Sequence, residues 1–140
     1  MTKHLRTLIR LRKWDVDERQ RALAAFLRRE ESILAAQQAL KEEMAQEAAF
    51  VRAADVTQTF TFSAYLAHCD QRKAELARAL AEVRRAIEEA REELAEAYRN
   101  LKTFEVTQDV RDAAEEKESD RLEQIELNEI GLTLYRRARR

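Results

Sequence analysis

Alternating steps of four and three residues from Phe62 land on Phe62, Leu66, Cys69, Lys73, Leu76, Leu80, Val83, Ile87, Ala90, Leu94, Ala97, Leu101 and Phe104. All of these except Lys73 are apolar, and the residues between them are mostly Glu, Arg, Lys, Gln and Ala. An apolar repeat of about 3.5 residues sustained over about six heptads is the signature of a coiled-coil seam. Such a seam buries nothing by itself. The chain must supply a second helix, or borrow one.

The same count from Leu5 gives Leu5, Ile9, Arg12, Val16, Arg19, Leu23, Phe26, Glu30, Ile33, Gln37, Leu40, Met44, Glu47 and Val51. This line is less apolar than the second but never breaks register, so it is the natural partner. Between the two lies Arg52 to Thr61, RAADVTQTFT, rich in threonine. β-Branched residues lose rotamer freedom in a helix, which predicts a turn there, with Thr61 or Ser63 capping the second helix. Thr2 is a candidate cap for the first. The expected fold is all-α: a long antiparallel two-helix coiled-coil hairpin forming a single unit over residues 1–140. Helix one spans about 3–52, the turn about 53–61 and helix two about 62–136.

Closing the hairpin at that turn pairs residues whose numbers add up to about 113. Val51 then faces Phe62, Ile33 faces Leu80, Phe26 faces Ile87 and Val16 faces Ala97. The polar seam residues of helix one meet apolar partners: Arg12 by Leu101, Arg19 by Leu94, Glu30 by Val83 and Gln37 by Leu76. Long side chains can lay their stems on such partners and keep their heads wet. Leu27 and Leu34 lie beside the seam. Helix one stops pairing near Leu5, opposite Gln108, while helix two runs on for about thirty residues, a length of ~45 Å. That overhang begins polar and then carries Leu122, Ile125, Leu127, Ile130, Leu132, Leu134 and Tyr135, with no partner in the chain. A lone helix in water is marginal.

Composition agrees and excludes alternatives. The 140 residues contain no proline and one glycine, Gly131, while 38% are charged and 6% aromatic. Glycine-rich phosphate loops and most sheet folds are thereby excluded, and long helices giving a rod-like chain are favoured. Net charge is −1, so no global field points to nucleic acid. Locally, Lys3 to Arg21 holds seven basic and three acidic residues, Asp109 to Glu129 nine acidic and three basic, and the last five residues four arginines. The basic RLRKW segment is followed by Asp15, Asp17 and Glu18, so charge matching within the hairpin accounts for it without nucleic acid. The terminal RRARR suits the negative end of a helix dipole.

A lone cysteine, Cys69, suits a reducing compartment, and no apolar run approaches the ~18 residues a membrane span needs. A soluble cytoplasmic protein is expected, without direct membrane insertion. His4 and His68 have no second ligand pair at helical spacing, the Glu-x-x-His pairs of a di-iron bundle are absent, and a two-helix rod offers no pocket for a catalytic triad. No catalytic, cofactor-binding or metal-binding residues are expected, and the chain is not expected to be an enzyme.

Three stretches resemble one known family. An N-terminal LxxLIRLRKWDVDERQRALA from Leu5, a central FxxY at Phe62 to Tyr65 and a C-terminal ExxExDRLEQIELNE from Glu115 resemble the flagellar FliJ proteins, coiled coils of the type III export apparatus. The resemblance covers nearly the whole chain in length and order. It implies an antiparallel two-helix coiled coil similar to the gamma subunit of rotary ATPases. Such a stalk inserts into the hexameric export ATPase, promotes its assembly and bridges to the cytoplasmic domain of the export gate, at the inner face of the membrane. Escort of export chaperones is also implied.

On that reading the ring-facing surface comprises Leu122, Ile125, Glu126, Glu129, Leu132 and Tyr135, with Arg10, Arg12, Lys13 and Trp14 lower on the same end. The gate-facing surface comprises the aromatics around the turn, Phe50, Phe60, Phe62 and Tyr65, since exposed aromatics are common interface anchors. The rival reading is a homo-oligomeric coiled-coil scaffold or adaptor unrelated to an ATPase.

Overall fold

The computed structural model describes residues 2–53 and 59–140, with side chains from residues 3–53 and 61–140. Among these it contains two α-helices and no strand: α1, Thr2–Arg52, and α2, Thr59–Ala138. Their Ala-, Leu-, Glu- and Arg-rich sequences have high helix propensity, and no proline interrupts either ladder. The threonines inside the helices return their hydroxyls to the backbone one turn earlier. Thr7 donates to the Lys3 carbonyl, Thr103 to Arg99, Thr107 to Thr103 and Thr133 to Glu129, each at 2.9 Å.

The chain forms two compact units. One is Val16–Ala97, which contains most of α1 and the first half of α2. Here the two helices pack antiparallel as a helical hairpin, and the fully buried residues are those of the two seams. Cys69, Leu76, Val83, Ile87, Ala90 and Ala97 are buried on α2, and Val16 and Ile33 on α1. Ile33, Leu76 and Val83 form the core cluster, with Phe26, Leu40 and Leu80 packed against it. Burying an aliphatic side chain to this degree contributes about 1.5–3 kcal/mol.

The register is recorded by two ion pairs between the helices. Arg19, expected opposite Leu94, bonds Glu93, and Glu30, expected opposite Val83, bonds Arg84 at 3.3 Å. One partner lies a residue to one side of the expected register and the other a residue to the opposite side, which brackets it. Both pairs also show how a polar seam residue is tolerated. Its stem lies on an apolar neighbour while its charge finds a flanking opposite charge at the surface. Gln37 is half-buried, Lys73 is exposed, and with Leu34 they line an open groove, so the seam is wet at that level. Glu47 departs from the line: it is exposed.

The other unit is residues 1–15 with 98–140. Leu5 and Leu101 are buried and Ile9 and Phe104 half-buried, again on the two seam lines. Arg12 lays its guanidinium over the Phe104 ring, 5.5 Å from the centroid, a cation–π contact. Gln108, the next position on the α2 line, is 8% exposed and donates from Nε2 to the Asp112 carboxylate at 2.7 Å. Burial stops there. From Asp109 onward every residue of α2 is exposed.

α1 ends at Arg52, and α2 begins at Thr59, a few residues before the approximate start read from the sequence. Thr61 and Ser63 were expected as caps, but α2 begins at Thr59, so both lie inside its first turns. The expected cap at Thr2 concerns a side chain outside the described residues, as does most of the expected turn.

Candidate functional site

The longest exposed apolar tract is the part of α2 that outruns α1. Leu122, Ile125 and Leu132 continue the alternating count that runs through Leu101, Phe104 and Gln108, and Glu129 stands on the same line. Here that line is uncovered: Leu122 is 55% exposed, Ile125 44% and Leu132 56%. Leu127, Ile130 and Leu134, spaced by three and four residues, form a second exposed stripe on another face of the helix. Tyr135 is exposed with the Arg139 guanidinium 5.5 Å from its ring centroid, and Glu126 is exposed beside the seam line.

The tract is held helical by local bonds. Arg121 makes two hydrogen bonds to Glu118, at 3.1 and 2.6 Å, and Gln124 donates to Asn128. The Arg121 bond holds the Glu118 carboxyl below its ordinary pKa, and Glu118 raises that of Arg121 in return.

The four N-terminal residues assigned to this surface divide. Arg10, Lys13 and Trp14 are exposed, whereas Arg12 is half-buried on Phe104, with its Nε shielded from solvent and without a hydrogen-bond partner. Arg12 thus belongs chiefly to the packing of its own unit. Leu8 and Leu11 are exposed on the same segment as Trp14, as are Val106 and Val110 on α2. Sequence reasoning did not single these out, although apolar residues at positions off both seam lines were the available signal.

The aromatic surface lies in the other unit. Phe62 and Tyr65 stack with ring centroids 6.2 Å apart and an interplanar angle of 24°. With Glu47, Phe50, Val51 and Thr61 they line an open cleft of about 400 Å³. Phe50 is the exposed member, while Phe62 and Tyr65 are half-buried. The Phe60 side chain lies outside the described residues. The Tyr65 hydroxyl points inward and is shielded from solvent, with Cys69 and Glu43 as its polar neighbours and no hydrogen bond of ordinary geometry. Burial, and then those two neighbours, raise the phenol well above its ordinary pKa. Cys69 is a free, buried thiol, and the exposed His68 shares a second shallow cleft with it.

No group of three or more His, Cys, Asp or Glu among the described residues could hold a metal ion. No helix among them is long and apolar enough to cross a membrane. Two paired helices, the second running on uncovered by the first, define an all-α helical hairpin of the coiled-coil class.

The family follows from comparison. The model of the flagellar FliJ protein family matches residues 1–140, the whole chain, and the chain belongs to that family. The family is a non-catalytic component of flagellar protein export. Comparison with curated proteins and with solved structures returned no match.

Proposed function

We propose that the chain is the stalk of a flagellar export machine, acting by binding alone. Its uncovered α2 segment, with Leu122, Ile125, Glu126, Glu129, Leu132 and Tyr135, enters the hexameric export ATPase and promotes its assembly and activity. Arg10, Lys13 and Trp14 add to that contact, and Arg12 supports it from within by holding Phe104. The aromatic cleft with Phe50, and Phe62 and Tyr65 behind it, engages the cytoplasmic domain of the export gate. Export chaperones are a further class of partner. This work takes place in the cytoplasm at the inner face of the membrane.

One observation carries the reading: the coiled-coil line of α2 continues in register beyond Gln108 with Leu122, Ile125 and Leu132 all solvent-exposed. Exposed apolar residues on a seam position await a cover, and an exposed tract of this extent marks an interaction site. An asymmetric stalk in the centre of a sixfold ring meets each subunit differently, which is how nucleotide-driven changes in the ring are passed to the gate.

Removing Glu118 to Arg140 tests the ring contact. The truncated chain is expected to lose binding to the cognate export ATPase and to stop stimulating it; unchanged binding and stimulation would reject the assignment. Phe50→Ala tests the gate contact with little disturbance of packing, because Phe50 is 61% exposed. Phe62→Ala with Tyr65→Ala removes the stacked pair behind it. Gate binding that survives both sets of changes would reduce these aromatics to core residues.

A further inference from the structure

The uncovered seam of α2 is complementary to itself. Taken on the alternating three-and-four count, it reads Glu115, Glu118, Leu122, Ile125, Glu129, Leu132, Arg136, Arg139. Two acids stand at one end, two bases at the other, and the apolar residues lie between them. The spacing is the same in either direction, so a second copy laid antiparallel can match it position for position. Leu122 then meets Leu132 of the second copy, Ile125 meets Glu129, Glu118 meets Arg136 and Glu115 meets Arg139. A twofold axis repeats each pair.

We infer that two copies of this chain associate through residues 115–138 of α2, with Arg139 in the turn that follows, as an antiparallel, twofold-symmetric coiled coil. The surface is available: all eight positions are exposed, and coverage by α1 ends at Gln108. Charge chooses the orientation. Antiparallel pairing sets four acid–base pairs around four Leu–Leu and Ile–Glu contacts that flank the axis. A parallel in-register pairing would set like charges face to face at both ends. Glu118 already bonds Arg121 on its own helix, so Arg136 of the second copy joins an existing pair rather than replacing water alone.

Glu129 is the weak point of the pairing. It stands where a leucine would complete the apolar stretch, and the two copies of it lie close to the axis with like charge. The dimer is therefore reversible and salt-sensitive, and it covers the seam residues that the proposed ring contact uses. The two states exclude each other. Self-association nevertheless depends on this chain alone, so its failure leaves the ring reading standing, and loss of ring binding leaves the dimer standing.

Sedimentation equilibrium of the full chain, from low micromolar to several hundred micromolar and at low and high salt, tests this. A monomer–dimer equilibrium weakened by salt is expected. Leu122→Glu should leave monomer only, and Glu129→Leu should tighten the dimer by about tenfold or more, the effect of turning two Ile–Glu contacts into Ile–Leu. Glu118→Arg and Arg136→Glu should each weaken it, and the two together should restore it, which parallel pairing does not predict. A wild-type chain and a Glu129→Leu chain that both remain monomeric throughout would overturn the proposal. So would a dimer that Leu122→Glu leaves unchanged.

Discussion

Gly131 is the one residue whose side chain is missing where nothing prevents one. It lies inside α2, and a Cβ added there meets no atom within 4 Å. Glycine inside an exposed helix costs about 0.5–1 kcal/mol relative to alanine, through backbone entropy. Gly131→Ala should therefore raise helicity and amide-exchange protection around residues 122–138 by about that amount. No change would mean that this segment is already held by something other than its own helix.

Tyr65 makes the opposite case, a polar atom placed where water cannot reach it. Because its hydroxyl makes no hydrogen bond of ordinary geometry, Tyr65→Phe should leave neutral-pH stability unchanged or raise it. The pH dependence has a definite sign. The folded-state pKa is raised, so the contribution is complete below the ordinary phenol value of about 10 and is lost as pH rises past it. Urea titrations at rising pH should show wild-type stability falling in that alkaline range, and Tyr65→Phe should flatten the fall. Parallel curves for the two proteins would contradict the buried placement.

At the scale of the helices, burial separates residues that look alike in sequence. Ile33 and Leu122 both lie on a seam line, yet Ile33 is 8% exposed and Leu122 is 55% exposed. Ile33→Ala should cost about 2–4 kcal/mol in denaturant unfolding, whereas Leu122→Ala should stay within about 0.5 kcal/mol at monomeric concentrations. A double-mutant cycle on Arg19 and Glu93 should give a coupling of about 0.2–1 kcal/mol that fades with salt, since both side chains are partly exposed.

Most of this was legible because a seam is a one-dimensional pattern. Every apolar position counted from Phe62 to Phe104 is buried or half-buried, and the single polar one, Lys73, is exposed. What the pattern could not supply was anything set by end effects or by particular side-chain directions. The start of α2 at Thr59 depends on how far a helix propagates through weak formers, a balance too fine for propensity. Arg12 reads in sequence as a seam residue beside Leu101 with its head in water, but its nearness to Phe104 gives the guanidinium a ring to cover. The split of the exposed tail into a seam line and a second stripe of Leu127, Ile130 and Leu134 is legible in the spacing, but only once coverage by α1 is known to stop at Gln108.

At the scale of the whole molecule, the chain divides its apolar residues into those satisfied within it and those left open. The former are shared by α1 and α2 up to Gln108. The latter lie mainly on α2 beyond that point, in a tract whose charge changes from acidic before Glu129 to basic after it. Membership of the FliJ family sets that division in the context of flagellar protein export.

Amide hydrogen exchange along α2, with and without the cognate export ATPase, tests that division most directly. For the chain alone at low concentration, the account predicts slow exchange through Leu76 to Leu101 and fast exchange from Asp109 to Ala138. Adding the ATPase should protect the second stretch, centred on Leu122 to Leu132, and leave the first unchanged. Protection confined to the already packed stretch, or none after Gln108 despite stable binding, would contradict it.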